Sequence, residues 1–262
     1  MTTFIAGGTG KTGRRVAARL VALGHTVRIG SRNGTPPFDW DRPETWEAAL
    51  ADADSAYVTY PDVAVSTAPD HLASFGKAAS HLRAITLLSG RGEPQAQEAE
   101  VALQEAAPQA AVLRASWFAQ NFSEGMFLDP VRAGHLALPT SMQEPFLDAD
   151  DLADAAVATL VGKGHEGRLY ELTGPRLLRF ADAVQEIADA AARPVTFESV
   201  TPEEFAVLLD GAPQDVIDLI VLLLREQSDG HNAHLETGVQ QLLGREPRDF
   251  RAFAQRNREA WR

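Results

Sequence analysis

The chain has 262 residues, 45% of them hydrophobic and 23% charged, with no cysteine and a formal net charge of −12. That size and apolar content allow a buried core without staples, and the missing thiols exclude a disulfide framework, thiolate zinc or iron–sulfur sites and a Cys nucleophile; they also fit a reducing, cytoplasmic setting. The acidic balance repels a phosphate backbone, so nucleic acid is not expected as a partner, and neither a membrane span of roughly 18 apolar residues nor a signal peptide can be read in the chain.

An apolar run at Thr3-Phe4-Ile5-Ala6 leads into Gly7-Gly8-Thr9-Gly10-Lys11-Thr12-Gly13, followed by apolar residues at 16, 17, 20, 21 and 23. This predicts strand, glycine turn and helix. Glycines spaced G-x-x-G-x-x-G leave room for backbone N–H groups and a helix N-terminus to approach a pyrophosphate. A P-loop would need glycine where Ile5 stands, so a dinucleotide is the expected ligand. The next strand, over 26–29, runs into Gly30-Ser31-Arg32-Asn33, with no acid before Asp39 to hold a ribose 2′-hydroxyl. A hydroxyl and a guanidinium there suit a 2′-phosphate, so the expected cofactor is NADP(H).

Strand and helix patterns keep alternating. Phe38-Asp39-Trp40 precedes a helix over 43–51, and a strand over 56–60 precedes a helix over 64–81. A strand over 84–88, a helix over 94–106 and a strand over 111–114 follow. The expected fold is therefore α/β, a Rossmann-type doubly wound parallel sheet with its ligand crevice at the carboxyl ends of the strands. Beyond about residue 130 Gly and Pro recur, and helices are predicted over 180–192, 202–210, 213–226 and 247–261. The expected domains are 1–130, with 147–172 packing back on it, and 131–262, a smaller, mainly helical lobe closing over the crevice. The apolar run 217–224 is a core or interface helix, which leaves a homo-oligomer open.

Several segments carry a resemblance to a known family: Gly7 to Gly13, Ser31-Arg32-Asn33, Leu88-Ser89-Gly90, Leu113-Arg114-Ala115-Ser116-Trp117-Phe118-Ala119-Gln120-Asn121-Phe122 and Phe146-Leu147-Asp148-Ala149-Asp150-Asp151-Leu152-Ala153. Tyr170 to Pro175 and Leu243 to Arg248 extend it across nearly the whole chain. The sequence resembles the NmrA-like group of atypical short-chain dehydrogenases/reductases, which includes quinone oxidoreductases, triphenylmethane reductases and redox-sensing regulators. The resemblance implies NADP(H) on Gly7, Gly8, Thr9, Gly10, Lys11, Thr12 and Gly13. Ser31, Arg32 and Asn33 would meet the 2′-phosphate and Asp39-Trp40 the adenine. Thr59, Tyr60, Pro61, Ser89 and Gly90 would flank the nicotinamide ribose, and Ser116, Trp117 and Phe118 the nicotinamide. Trp117, Phe118, Asn121 and Phe122 would line the substrate, although Phe118 and Phe122, four apart, also read as one core face.

The Tyr-x-x-x-Lys pair of ordinary short-chain dehydrogenases is missing. Tyr57, Tyr60 and Tyr170 are followed four residues later by Pro61, Ala64 and Gly174, and only Lys11, Lys77 and Lys163 are lysines. Reducing a simple ketone makes a strongly basic alkoxide, for which a positioned acid is worth about 10²–10⁴ in rate. Reducing a quinone makes a phenolate, whose conjugate acid has a pKa near ~10 and which water protonates. The expected function is hydride transfer from NADPH to a quinone or other conjugated small molecule, with Tyr60, Ser89 and Asn121 as the candidate catalytic groups. The alternative is a non-catalytic NADP(H)-sensing regulator acting through a protein partner. A sugar epimerase would also need the Tyr–Lys pair. No G-x-S-x-G elbow supports a hydrolase. His231, His234 and Glu236 read as an ordinary loop, so no metal is expected.

Overall fold

The computed structural model describes residues 1–208 and 230–262. The helix predicted over 213–226, with its apolar run 217–224, lies outside the described residues. From the amino end the elements are β1 (Thr2–Ala6), α1 (Gly13–Ala22), β2 (Thr26–Gly30), α2 (Trp46–Leu50), β3 (Ser55–Thr59), α3 (Ala68–Ala78), β4 (Ala84–Gly90), α4 (Pro94–Ala106) and β5 (Ala110–Ala115). There follow α5 (Asn121–Glu124), α6 (Leu128–Ala133), β6 (His135–Leu138), β7 (Gln143–Glu144), α7 (Ala149–Val161), β8 (Leu169–Leu172) and β9 (Leu178–Arg179). The last are α8 (Phe180–Ala191), β10 (Thr196–Ser199), α9 (Pro202–Leu208), α10 (Gly238–Leu243) and α11 (Phe250–Asn257).

Two compact units result. The first comprises Met1–Ala115, Ala149–Leu172 and Thr237–Arg245, and the second Ser116–Asp148, Thr173–Glu236 and Glu246–Arg262. Residues 116–130 thus cluster with the second unit.

The first unit is a Rossmann-type doubly wound sheet. Six parallel strands run in the order β2-β1-β3-β4-β5-β8. Their buried runs, Phe4-Ile5-Ala6 on β1 and Ala84-Ile85-Thr86-Leu87 on β4, are the near-continuous apolar stretches of strands covered on both faces. The order reverses direction at β1, so the carboxyl ends of β1 and β3 flank the topological switch point where open α/β sheets bind ligands. β8 was not among the strands read from sequence. Its four residues form an edge strand on β5, two of them half-buried and only Leu172 fully buried, too short and mixed for a periodicity signal.

The expected extended segment at Phe38-Asp39-Trp40 is instead a loop. Pro36 and Pro37 have no N–H to give a ladder, and the Phe38 N–H returns to the Ser31 carbonyl at 2.9 Å. Its ring drops into an aromatic cluster with Phe4 (5.0 Å), Trp46 (6.2 Å) and Phe75 (6.2 Å).

The second unit has its own core, built on Phe122, Phe127, Phe146, Phe180, Phe250 and Trp261. It is mainly helical, with two small sheets, β6–β10 parallel and β7–β9 antiparallel. The Asp249 carboxylate caps α11 by accepting the Arg251 N–H. Among the described residues no helix is long and apolar enough to cross a membrane.

Candidate active site

At the switch point the chain leaves β1 through the glycine turn. Gly7 holds φ +69°, a left-handed conformation, and a Cβ there would lie 2.1 Å from Thr59 Oγ1. The Thr59 hydroxyl donates to the Ala6 carbonyl at 3.0 Å, tying the ends of β1 and β3 together. Gly13 opens α1 so close to the turn that a Cβ would meet the Gly7 carbonyl oxygen at 2.3 Å. No side chain caps α1 and no acid lies in its first turn. Its N-terminal N–H groups and dipole therefore face a backbone cradle that only glycine leaves open. Lys11 lies in this turn, its ammonium pushed down to about 8 by burial and by repulsion from Arg15 and Arg14. An excess of positive charge on a helix N-terminus fits a nucleotide's phosphates, and the NADP(H) expected from sequence meets that test.

Beyond β2, Ser31 is half-buried while Arg32 and Asn33 are exposed. The Ser31 carbonyl accepts the Gly34 and Phe38 N–H groups at 3.0 and 2.9 Å, closing the loop that presents Arg32. Asp39 is held through its backbone, its N–H bonded to Thr45 Oγ1 at 3.1 Å and its carbonyl to Trp46 Nε1 at 2.6 Å. Trp40 sits edge-on to Tyr60, with centroids 4.9 Å apart. Tyr60 in turn hydrogen-bonds His71 Nδ1 through its hydroxyl at 2.7 Å. The structure thus makes one aromatic patch of Trp40, Tyr60 and His71, with Pro61 following, where adenine and nicotinamide-ribose contacts were expected separately.

At the end of β4 the Ser89 hydroxyl donates to Glu100 Oε1 at 2.6 Å. Glu100 lies on α4, where the Tyr-x-x-x-Lys pair is missing, and is 2% exposed. Arg114 on β5 grips both its oxygens, Nε at 2.9 and 3.0 Å and Nη2 at 2.6 Å. Glu171 on β8 bridges Arg114 Nη1 at 3.2 Å and Arg91 Nε at 3.1 Å. Gly90 has no Cβ, and the Glu93 carboxyl fills that space, 2.3 Å from where a Cβ would stand. His71, Glu100 and Glu171 were not singled out from sequence; Arg91 was placed only in the loop after the 84–88 strand, at the ligand crevice, and Arg114 only in the family segment, neither with a role at the site. The one available signal was Glu100, a carboxylate on the buried Ala96-Ala99-Leu103 stripe of α4.

The remaining expected residues lie in the second unit. The Ser116 hydroxyl donates to the Pro145 carbonyl at 2.7 Å, and Phe118 bridges Leu147 in a short parallel pairing. Trp117 stacks on Phe127 at 5.8 Å and 11° and, like Phe118 and Asn121, is half-buried. Phe122, expected against the substrate, has 0% exposure. Its ring packs on Phe127, Phe146 and Phe250, and its carbonyl accepts Trp261 Nε1 at 2.6 Å. That side chain has no surface to offer a ligand; it belongs to the core.

The three tyrosines are all occupied or sealed. Tyr57 is fully buried with no hydrogen-bond partner for its hydroxyl among the described residues, and burial pushes that phenol up. Tyr60 pairs with His71, and Tyr170 with His165 Nδ1 at 2.9 Å.

No family model matches the chain. It is 30% identical over 282 residues to the uncharacterized oxidoreductase YesF of Bacillus subtilis, covering 98% of this chain and 96% of that protein. Its fold is shared with the NADPH-dependent quinone oxidoreductase QOR2 of Escherichia coli, solved with NADPH, at TM-score 0.82, 17% identity and coverage of 97% and 99% of the two chains. The triphenylmethane reductase of Citrobacter sp., solved with NADP(H), superposes at TM-score 0.76 and 19% identity, with 99% and 100% covered.

Proposed function

Because this chain belongs to the NmrA-like family of atypical short-chain dehydrogenases/reductases, we propose that it is an NADPH-dependent oxidoreductase that passes hydride to a quinone or another conjugated small molecule without a Tyr–Lys general acid. Bound NADPH supplies the hydride. The glycine turn and the N-terminus of α1 hold its pyrophosphate, with Lys11 in the turn and Arg14 and Arg15 beside it. Arg32, presented by the closed loop after β2, takes the 2′-phosphate, and no acid nearby in sequence opposes that charge. Trp40, edge-on to Tyr60, is the ring we assign to the adenine, and Tyr60 with Pro61 the residues we assign to the nicotinamide ribose. Trp117, Phe118 and Asn121 are the side chains we assign to the acceptor.

The observation that carries this reading is the state of the would-be acids. Tyr60 is paired with a histidine, the Ser89 proton is directed at Glu100, and α4 carries that buried carboxylate in place of a tyrosine and lysine. A ketone needs a proton as hydride arrives, and losing that acid costs about 10²–10⁴ in rate. A quinone leaves a phenolate that water protonates afterwards, so holding donor and flat acceptor in register suffices.

The test is to mix the protein with NADPH and a panel of benzoquinones, naphthoquinones, enones and ketones, and to follow the nicotinamide absorbance. Quinones and enones are expected to oxidise NADPH far faster than ketones. Equal ketone turnover overturns the general-acid argument. NADPH binding with no oxidation across the panel, and release or capture of a protein partner on binding, supports a redox-sensing regulator instead.

A further inference from the structure

We propose that Asp148 is a positioning residue for the acceptor that acts through Gln120: its carboxylate, held by Arg256, pins the loop that carries Trp117, Phe118 and Asn121. The inference rests on the proposed acceptor role of those three side chains and deepens it.

The loop contains two kinds of residue. Ala119 and Gln120 are 1% and 2% exposed, whereas Trp117, Phe118 and Asn121 are half-buried, with surface left for a ligand. The fastenings run in chain order. The Ser116 hydroxyl donates to the Pro145 carbonyl at 2.7 Å; the Trp117 carbonyl accepts the Leu147 N–H, and the Ala119 N–H donates to the Leu147 carbonyl, both at 2.9 Å. Gln120 closes the series, its Nε2 donating to Asp148 Oδ1 at 2.7 Å. The two bonds at Leu147 join backbone to backbone and ask nothing of the side chains. The last one needs an amide to meet a carboxylate that is 1% exposed.

A carboxylate at that depth is tolerated because Arg256 pairs its other oxygen, Oδ2. Arg256 stands on α11, and α11 is itself fixed at its start: Asp249 caps the helix, and Arg176 holds both Asp249, at 2.6 Å, and Glu186, at 2.8 Å. Beyond α11, in the short turn Arg258–Trp261, Trp261 Nε1 donates to the Phe122 carbonyl at 2.6 Å. Asn121 is therefore bracketed, by Gln120 on Asp148 and by Phe122 on Trp261. A buried ion pair adds little net stability, since an apolar set of the same volume avoids the desolvation cost. What the charge adds is direction. A carboxylate gripped by a guanidinium only accepts, so it binds the Gln120 amide through its N–H₂ and fixes the loop before any ligand arrives. A preformed loop spares the acceptor the cost of ordering it, a saving that appears in KM and leaves the chemical step alone.

Steady-state kinetics with a benzoquinone at saturating NADPH test this on wild type, Gln120→Met, Arg256→Met, Arg256→Lys and the double variant of the two methionine changes. Gln120→Met keeps the side chain's length and removes the amide. Its quinone KM is expected to rise by about 3- to 10-fold, the worth of one hydrogen bond, with kcat and NADPH affinity held. Arg256→Met is expected to move KM the same way, and Arg256→Lys, which keeps a cation beside Asp148, to move it less. The double variant is expected to be no worse than Gln120→Met, because both changes act through one bond. Hydrogen exchange over residues 116–122 reads the pin with no acceptor present, and protection is expected to fall in both methionine variants. Should Arg256→Met not fold, Gln120→Met and Arg256→Lys decide. Unchanged KM in Gln120→Met overturns the proposal, as do single effects on KM that simply multiply in the double variant. A lower Tm with KM and exchange unmoved also overturns it, since that marks a purely structural pair. A wild-type protein that binds NADPH, protects 116–122 and turns over no acceptor overturns the acceptor reading itself, a result separable from the others.

Discussion

Replacing Gly13 by alanine sets two effects of opposite sign against each other. Gly13 is the first residue of α1 and has no positive φ, so backbone strain is not at issue. Helix propensity alone favours alanine by about 1 kcal/mol. Against that, the new Cβ would stand 2.3 Å from the Gly7 oxygen, 2.8 Å from the Gly8 Cα and 2.9 Å from the Gly7 carbonyl carbon. All three are backbone atoms, with no side-chain torsion to relieve them, and overpacking of this kind costs typically ~1–3 kcal/mol. The clash outweighs the propensity gain over most of that range, leaving a net loss of up to roughly 2 kcal/mol, which lowers Tm by up to about 8 °C in a chain of this size. The Gly7 oxygen also accepts the Gly10 N–H at 2.9 Å, so displacing it opens the turn that cradles the phosphates. NADPH affinity is expected to fall at least tenfold, on the order of 1.4 kcal/mol or more. Gly10→Ala is the control: its Cβ meets only the Gly7 oxygen, at 3.2 Å. Scanning calorimetry and NADPH titration of the two variants side by side decide the matter. A Gly13→Ala protein that melts at or above wild type and binds NADPH normally refutes the account of this turn.

Lys11 gives a pH signature. Its ammonium lies at about 8 in the free protein, below the 10.5 of an exposed lysine, so the free fold gains stability as pH rises from about 8 toward 10.5. A bound phosphate favours the charged form, so NADPH binding should take up a proton near pH 8 and weaken as pH rises through it; Lys11→Met should flatten both, and proton uptake unchanged in that variant refutes the assignment. Arg32→Ala should lower the NADPH/NADH preference by roughly 10- to 100-fold, the worth of a charge-assisted hydrogen bond, and parallel titrations that return the wild-type ratio refute it. Phe122→Ala should cost ~3–5 kcal/mol as a core cavity, visible as a large drop in Tm. A wild-type melting temperature with an altered KM would return Phe122 to the acceptor.

What could be read from the chain beforehand, and what could not, divides along the range of the interactions. The glycine turn is encoded by seven consecutive residues, because the constraint is local backbone room, and the alternation of apolar runs suffices to announce parallel strands covered by helices. The absent Tyr–Lys pair is equally local, since it is a spacing of four along one helix. The network that Ser89 and Glu100 enter is not local. Ser89 meets Glu100 across 11 residues, Glu100 meets Arg114 across 14, and Glu171 joins Arg114 and Arg91 from 57 and 80 residues away. No periodicity marks such a network; only the intrusion of Glu100 into the apolar stripe of α4 hints at it. Phe118 and Phe122 show the same limit from the other side, because a spacing of four fits a core face and a ligand wall equally well. The structure separates them, with Phe118 half-buried beside Leu147 and Phe122 sealed among four other rings. A missing Tyr-x-x-x-Lys spacing can therefore be read from a string of residues, whereas the network behind Ser89 is a relation among three strands and a helix. Within it, the serine that sequence offered as a catalytic group directs its proton at a carboxylate.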